Sequence, residues 1–96
     1  MEFLVTMTTH VPDGTPGQAV DDVRGREAAR SRKLAGQGHL LRLRVLPRQG
    51  RARGLWRARD AAEMQAILES LPLYGWMTTE TTPLTGHPGD PAITRS

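Results

Sequence analysis

The sequence predicts an α+β domain with the order β-α-β-β-α-β, a four-stranded antiparallel sheet carrying two helices on one face. Three observations predict it. Three segments alternate in side-chain character with a period of two, a fourth follows the second helix, and two intervening segments place apolar residues at spacings of three and four. Clusters of Pro, Gly and Asp fall at the junctions between them. At 96 residues the chain holds one such unit, expected over residues 1–83, with residues 84–96 as an extended tail.

In the first segment, Glu2 to Thr9, Phe3, Val5 and Met7 alternate with Leu4, Thr6 and Thr8, the pattern of a strand with one buried face. Pro12-Asp13-Gly14 is turn chemistry. Thr15-Pro16-Gly17-Gln18 then reads as a helix start, with Thr15 as N-cap, Pro16 in the first turn and Gln18 closing a capping box. The helix is expected to run to about Ala35, with Val20, Val23, Glu27, Ser31 and Leu34 on one stripe, and Gly36 to Gly38 as its stop.

Leu40 to Leu46 is the second strand, read with Leu41, Leu43 and Val45 on one face and Leu40, Arg42, Arg44 and Leu46 on the other. After the turn at Pro47 to Gly50, Arg51 to Arg59 places Ala52, Gly54, Trp56 and Ala58 on one face and arginines with Leu55 on the other. These two segments pair as a hairpin. Asp60 and Glu63 open a second helix with the stripe Met64, Ile67, Leu68 and Leu71, which Pro72 ends. Tyr74 to Thr82 is expected as the last strand.

Composition removes several classes of chemistry. With no cysteine, the chain has no disulfide, no thiolate zinc site and no cysteine nucleophile. No apolar run approaches the ~20 residues of a membrane span, so no membrane partner is expected. The segment Met1-Glu2-Phe3-Leu4-Val5 lacks the basic region of a signal peptide, and a cytoplasmic location is expected. The net charge of +3 is carried almost wholly by arginine. No acid lies between Glu27 and Asp60, a stretch that attracts anions.

Within this frame Glu27 stands out, a carboxylate in the apolar stripe of the first helix. Desolvation there raises a carboxyl pKa toward the range of a general base. The alternative is a stripe-edge carboxylate paired with Arg24 or Arg30. Arg42 and Arg44, two apart on one strand face, could converge on a substrate carboxylate or form a solvated or intersubunit face. Trp56 and Trp76 could stack a planar ligand or belong to core or interface. His10, His39 and His87 lack metal-ligand spacing, so no metal site is expected. The strand signatures of sheet-based RNA binders are absent, and nucleic acid is not an expected partner. A non-catalytic module that binds an acidic partner through the basic stretch is the alternative from another class.

The passage Leu71-Pro72-Leu73-Tyr74-Gly75-Trp76-Met77, together with Met7-Thr8, Pro12, Glu27, Gly38, Leu84 and His87-Pro88, resembles the muconolactone delta-isomerase family over nearly the whole chain. The resemblance implies a ferredoxin-like protomer of the dimeric α+β barrel type, pairing sheet to sheet as a homodimer or in a larger ring such as a decamer. It also implies a cofactor-independent proton shift in a small unsaturated lactone bearing a carboxylate, with no metal and no cofactor. Glu27 is then the proton shuttle, and Arg42, Arg44, Arg24, His10 and Trp56 are candidate substrate-binding residues. The tail around His87-Pro88 is expected to pack on a neighbouring protomer.

The departures from the family pattern fall where a pocket is expected. Thr6, His10 and Arg24 stand where the family carries lysines. Leu40, Arg42 and Arg44 replace aromatics and a His on strand two, and Gly50, Ala52 and Arg53 replace Tyr and Asn early in strand three. A relative turned to another small anionic or aromatic molecule, such as a polyketide intermediate in a tailoring pathway, is therefore the second enzymatic reading. Cofactor-free monooxygenases and cyclases enter by fold analogy alone.

Overall fold

A computed structural model of the chain describes residues 1–47, 50–86 and 89. The elements are β1 (Glu2–Thr9), α1 (Gly17–Gly36), β2 (Leu40–Leu46), β3 (Arg51–Arg57), α2 (Ala61–Glu69), a short 3-10 turn (Tyr74–Trp76) and β4 (Met77–Leu84). The sheet order is β2-β3-β1-β4 with every pairing antiparallel. β1 and β3 are central and β2 and β4 are the edges, the arrangement of a ferredoxin-like fold.

Register explains which side chains meet. Phe3 pairs with Trp56, Val5 with Gly54 and Met7 with Ala52, so these residues share one face. The helices cover that face: Leu34 of α1 and Met64, Ile67 and Leu68 of α2 are buried in the same cluster as Phe3, Val5 and Trp56. Leu71 and Ala58 complete it. A chain with only four aromatic residues thus builds its core around Trp56 and Phe3, both 1% exposed.

Local sequence accounts for most boundaries. Asp60 caps α2, its Oδ1 accepting from the Glu63 N–H at 2.8 Å, while Glu63 Oε1 accepts from the Arg59 N–H at 2.8 Å. α1 ends in a turn where Gly38 takes φ = 84°, a left-handed conformation that favours glycine.

Four expectations need correction. The capping box at Thr15 does not form. α1 begins at Gly17 after Pro16, without a side-chain cap, and Thr15 Oγ1 instead donates back to the Pro12 carbonyl at 2.6 Å, closing the preceding turn. In β2 an irregularity between Leu40 and Arg42 absorbs one residue, so Leu40, Leu43 and Val45 all face the helices. β4 begins at Met77, because Tyr74 to Trp76 form a 3-10 turn in which the Trp76 N–H reaches the Leu73 carbonyl. β4 also runs on to Leu84, two residues past the expected end at Thr82, while His87 and Pro88 lie outside the described residues.

Candidate active site

A cavity of about 670 Å³ opens between α1 and the helix-facing side of the sheet. Its floor is apolar, with Met7 from β1, Ala52 from β3 and Met77 from β4. Leu43 and Val45 of β2 form one wall, and their exposures of 40% and 71% show that no helix covers this part of the sheet. Leu73 borders another side. From α1, Arg24, Glu27, Ala28, Ser31 and Arg32 complete the enclosure.

Glu27 is the carboxylate of this cavity because helical spacing sets it on the same stripe as Val23, Ser31 and the buried Leu34. Its Oε1 accepts a hydrogen bond from the Leu73 backbone N–H at 3.0 Å. Burial raises its pKa above the usual carboxylate value, and the Leu73 N–H, which favours the charged form, opposes the rise without cancelling it. The alternative, an ion pair to Arg24 or Arg30, is not formed. Arg30 turns to α2, where its Nε and Nη2 donate to Ser70 Oγ at 3.2 and 3.0 Å. Among the described residues the ion pairs are Arg57 with Glu2 and Arg59 with Asp60 and Glu63.

The structure separates the other candidate residues. Arg24 joins Glu27 in the cavity lining. Arg42 and Arg44 do not: Arg42 pairs with Leu55 and Arg44 with Arg53, which puts both on the sheet face away from the helices. Their Nη1 atoms donate to the adjacent carbonyls of Leu41 and Leu43 at 2.8 and 3.2 Å. Within one protomer they cannot serve the same ligand as Glu27. Trp56 is a core residue rather than a stacking platform; its ring folds over Gly54, and its Nε1 is buried without a partner among the described residues. His10 is exposed beyond the end of β1 and outside the cavity lining, its backbone N–H donating to the Trp76 carbonyl.

Three features of the site escaped the sequence reading. Arg32 lines the cavity, and the spacing of Arg24, Ala28 and Arg32 at four-residue steps was the available signal. Leu43 and Val45 were visible as an apolar pair but had no assigned neighbour. The Leu73 N–H carries no side-chain signal at all. Among the described residues no group of three or more His, Asp and Glu side chains comes together in metal-ligating geometry.

A family model described as muconolactone delta-isomerase matches residues 1–90. The chain belongs to the muconolactone delta-isomerase family. Muconolactone Delta-isomerase 1 of Acinetobacter lwoffii is 33% identical over 88 residues, 92% of each chain. Muconolactone Delta-isomerase of Acinetobacter baylyi is 30% identical over 92% of each chain, and that of Cupriavidus pinatubonensis is 28% identical over 92% of this chain and 96% of its own. A crystal structure of muconolactone isomerase superposes with a TM-score of 0.85, covering 95% of each chain at 24% identity, so the two share the fold. This member of an isomerase family carries a carboxylate, Glu27, in the lining of its cavity.

Proposed function

We propose that the protein catalyses a cofactor-independent proton shift in a small unsaturated lactone bearing a carboxylate, with muconolactone as the candidate substrate. The supporting observation is Glu27: a partly desolvated carboxylate at the wall of an apolar cavity, with one oxygen held by a backbone N–H. In this reaction Glu27 removes a proton from the carbon made acidic by the unsaturated lactone carbonyl. The C–H electron pair moves into the conjugated system as a dienolate. Glu27 then returns a proton to another carbon of that system, so no electron acceptor is required and the enzyme is regenerated. The oxygen bound by Leu73 is fixed, and the other carries the proton. The low-polarity lining strengthens the attraction between a cavity cation and the developing enolate.

Incubation with muconolactone in deuterated water tests this reading. Isomerised product carrying solvent deuterium is the expected result, and a folded protein that leaves muconolactone unchanged between pH 5 and 8 overturns it.

A second reading, a larger carbonyl compound such as a polyketide intermediate, draws on one observation. The cavity volume falls within the roughly 300–1,000 Å³ that accommodates drug-sized ligands. Faster deuterium incorporation into a bulkier unsaturated lactone than into muconolactone would favour it.

We also propose that the protein is a homodimer or a larger homo-oligomer built through the face of the sheet away from the helices. There Leu4 stands opposite Leu55, and both are only partly buried within one protomer. A short chain gains stability by covering such a face.

A further inference from the structure

α1 turns its two flanks to different neighbours. Arg30, on one flank, is committed to Ser70 at the C-terminal cap of α2. The opposite flank carries Arg24, Ala28 and Arg32 at successive steps of four, and these three line the same cavity as Leu43 and Val45. Glu27 lies between the flanks. Arg24 and Arg32 stand about 12 Å apart along the helix axis, two turns of ~1.5 Å per residue. Their long side chains can close that distance, and the methyl group of Ala28 leaves the space between them open. Neither arginine has a carboxylate partner among the described residues, although Arg24 is one turn from Glu27. Two guanidinium groups of α1 without a carboxylate partner among the described residues therefore border the cavity, whose lining also includes Arg51 at the start of β3.

We propose that Arg24 and Arg32 together form the anion anchor of this site, clasping the substrate carboxylate over Ala28 while the body of the molecule lies against Leu43 and Val45. The proposal rests on the proton-shift reading and adds the group that orients the substrate. A carboxylate held at the flank of α1 sets the ring inward, with its acidic carbon toward Glu27 one stripe away. Guanidinium groups suit this task because their planar N–H forks match both carboxylate oxygens. An anchor of this kind also discriminates, since an uncharged analogue leaves the arginines without their partner.

The test is a binding titration in the Glu27→Gln background, where turnover does not consume the ligand, using muconolactone and its methyl ester. Arg32→Gln is expected to weaken binding of the carboxylate by about tenfold or more and to leave the ester within about twofold. Arg26→Gln, the same charge change at an exposed position outside the cavity lining, is expected to alter neither. Ala28→Glu, which supplies an internal carboxylate between the two arginines, is expected to reproduce the Arg32→Gln pattern. Equal effects of Arg32→Gln and Arg26→Gln, or equal losses for acid and ester, overturn the anchor. Turnover measured with Glu27 intact separates the two ideas. Turnover together with Arg32-independent binding overturns the anchor alone, and Arg32-dependent binding without turnover overturns the proton shift alone. If neither ligand binds and no turnover is seen, both fall.

Discussion

The Leu73 backbone N–H donates to Glu27 Oε1 at 3.0 Å across a separation of 46 residues, tying the segment after α2 to the middle of α1. The link has a simple cause. Pro72 cannot continue α2, and the chain enters the 3-10 turn at Leu73 with that N–H directed at the carboxylate. One bond thereby orients the candidate base and moderates its basicity.

Leu73 supplies a two-variant test of that relationship. Leu73→Pro removes the donor while Leu73→Ala keeps it; because proline at the third position of the Leu71–Tyr74 turn also strains the residue before it, the comparison requires equal unfolding midpoints for the two variants. Loss of the N–H removes the one contribution that lowers the Glu27 pKa. The acid limb of the kcat/KM profile is therefore expected to move to higher pH in Leu73→Pro and to stay in place in Leu73→Ala. Matching profiles for the two variants would show that the hydrogen bond does not set the ionisation.

Glu27→Gln is expected to keep the fold and to lower turnover of the true substrate by about 100-fold or more. Its stability effect has a definite sign. The folded-state pKa lies above the unfolded value near 4.5, so the protonated carboxyl is the better-tolerated form in the folded protein. That contribution is fully present below pH 4.5 and is lost as pH rises through the folded-state value. Wild type should lose stability relative to Glu27→Gln across this window, as denaturant midpoints at pH 4 and pH 7 would reveal. Asp60, whose pKa is lowered chiefly by the Glu63 N–H, has the opposite sign. Its contribution is present above the unfolded value of 3.8 and disappears as pH falls through the lower folded-state value.

Gly54→Ala should destabilise the protein without touching the cavity. A Cβ at Gly54 would run into the Trp56 ring, which lies on the same face of β3 two residues away. Overpacking of this kind costs about 1–3 kcal/mol. For a domain of this size each kcal/mol corresponds to roughly 4–8 °C in melting temperature. A calorimetric Tm equal to wild type would show that the ring has room to move.

The proposed oligomer can be broken from the outer sheet face. Leu55→Glu puts a charge opposite Leu4 and beside Arg42 on a surface that does not contribute to the helix-side core. Light scattering is expected to give a dimer or larger particle for wild type and a smaller species for the variant. A stable wild-type monomer of 10.6 kDa at micromolar concentration would contradict the assembly.

Much of the fold was legible because its causes are local. Alternation at Phe3, Val5 and Met7 marked a buried strand face, Asp60 with Glu63 marked the start of α2, and Pro72 marked a limit that α2 does not reach, since it already stops at Glu69. Glu27 was legible as a candidate for the same reason, a carboxylate among apolar residues at helical spacing. Local rules also failed in identifiable ways. Thr15 Oγ1 donates to the Pro12 carbonyl instead of accepting from a helix N–H, and the irregularity at Leu41 shifted Leu40 to the other face, a one-residue change that no periodicity announces.

By itself the sequence determined the order of elements, the core stripes and the presence of a carboxylate on the inner face of α1, since helical and strand periods convert spacing into direction. Only the tertiary structure decided which charged groups share a space with that carboxylate. Strand register sent Arg42 and Arg44 to the far side of the sheet, and the packing of α1 turned Arg30 toward Ser70 and left Arg24 and Arg32 at the cavity. The Leu73 N–H reached Glu27 for the same kind of reason: contacts between residues distant in the chain are fixed by how elements pack, and spacing within one element carries no record of that.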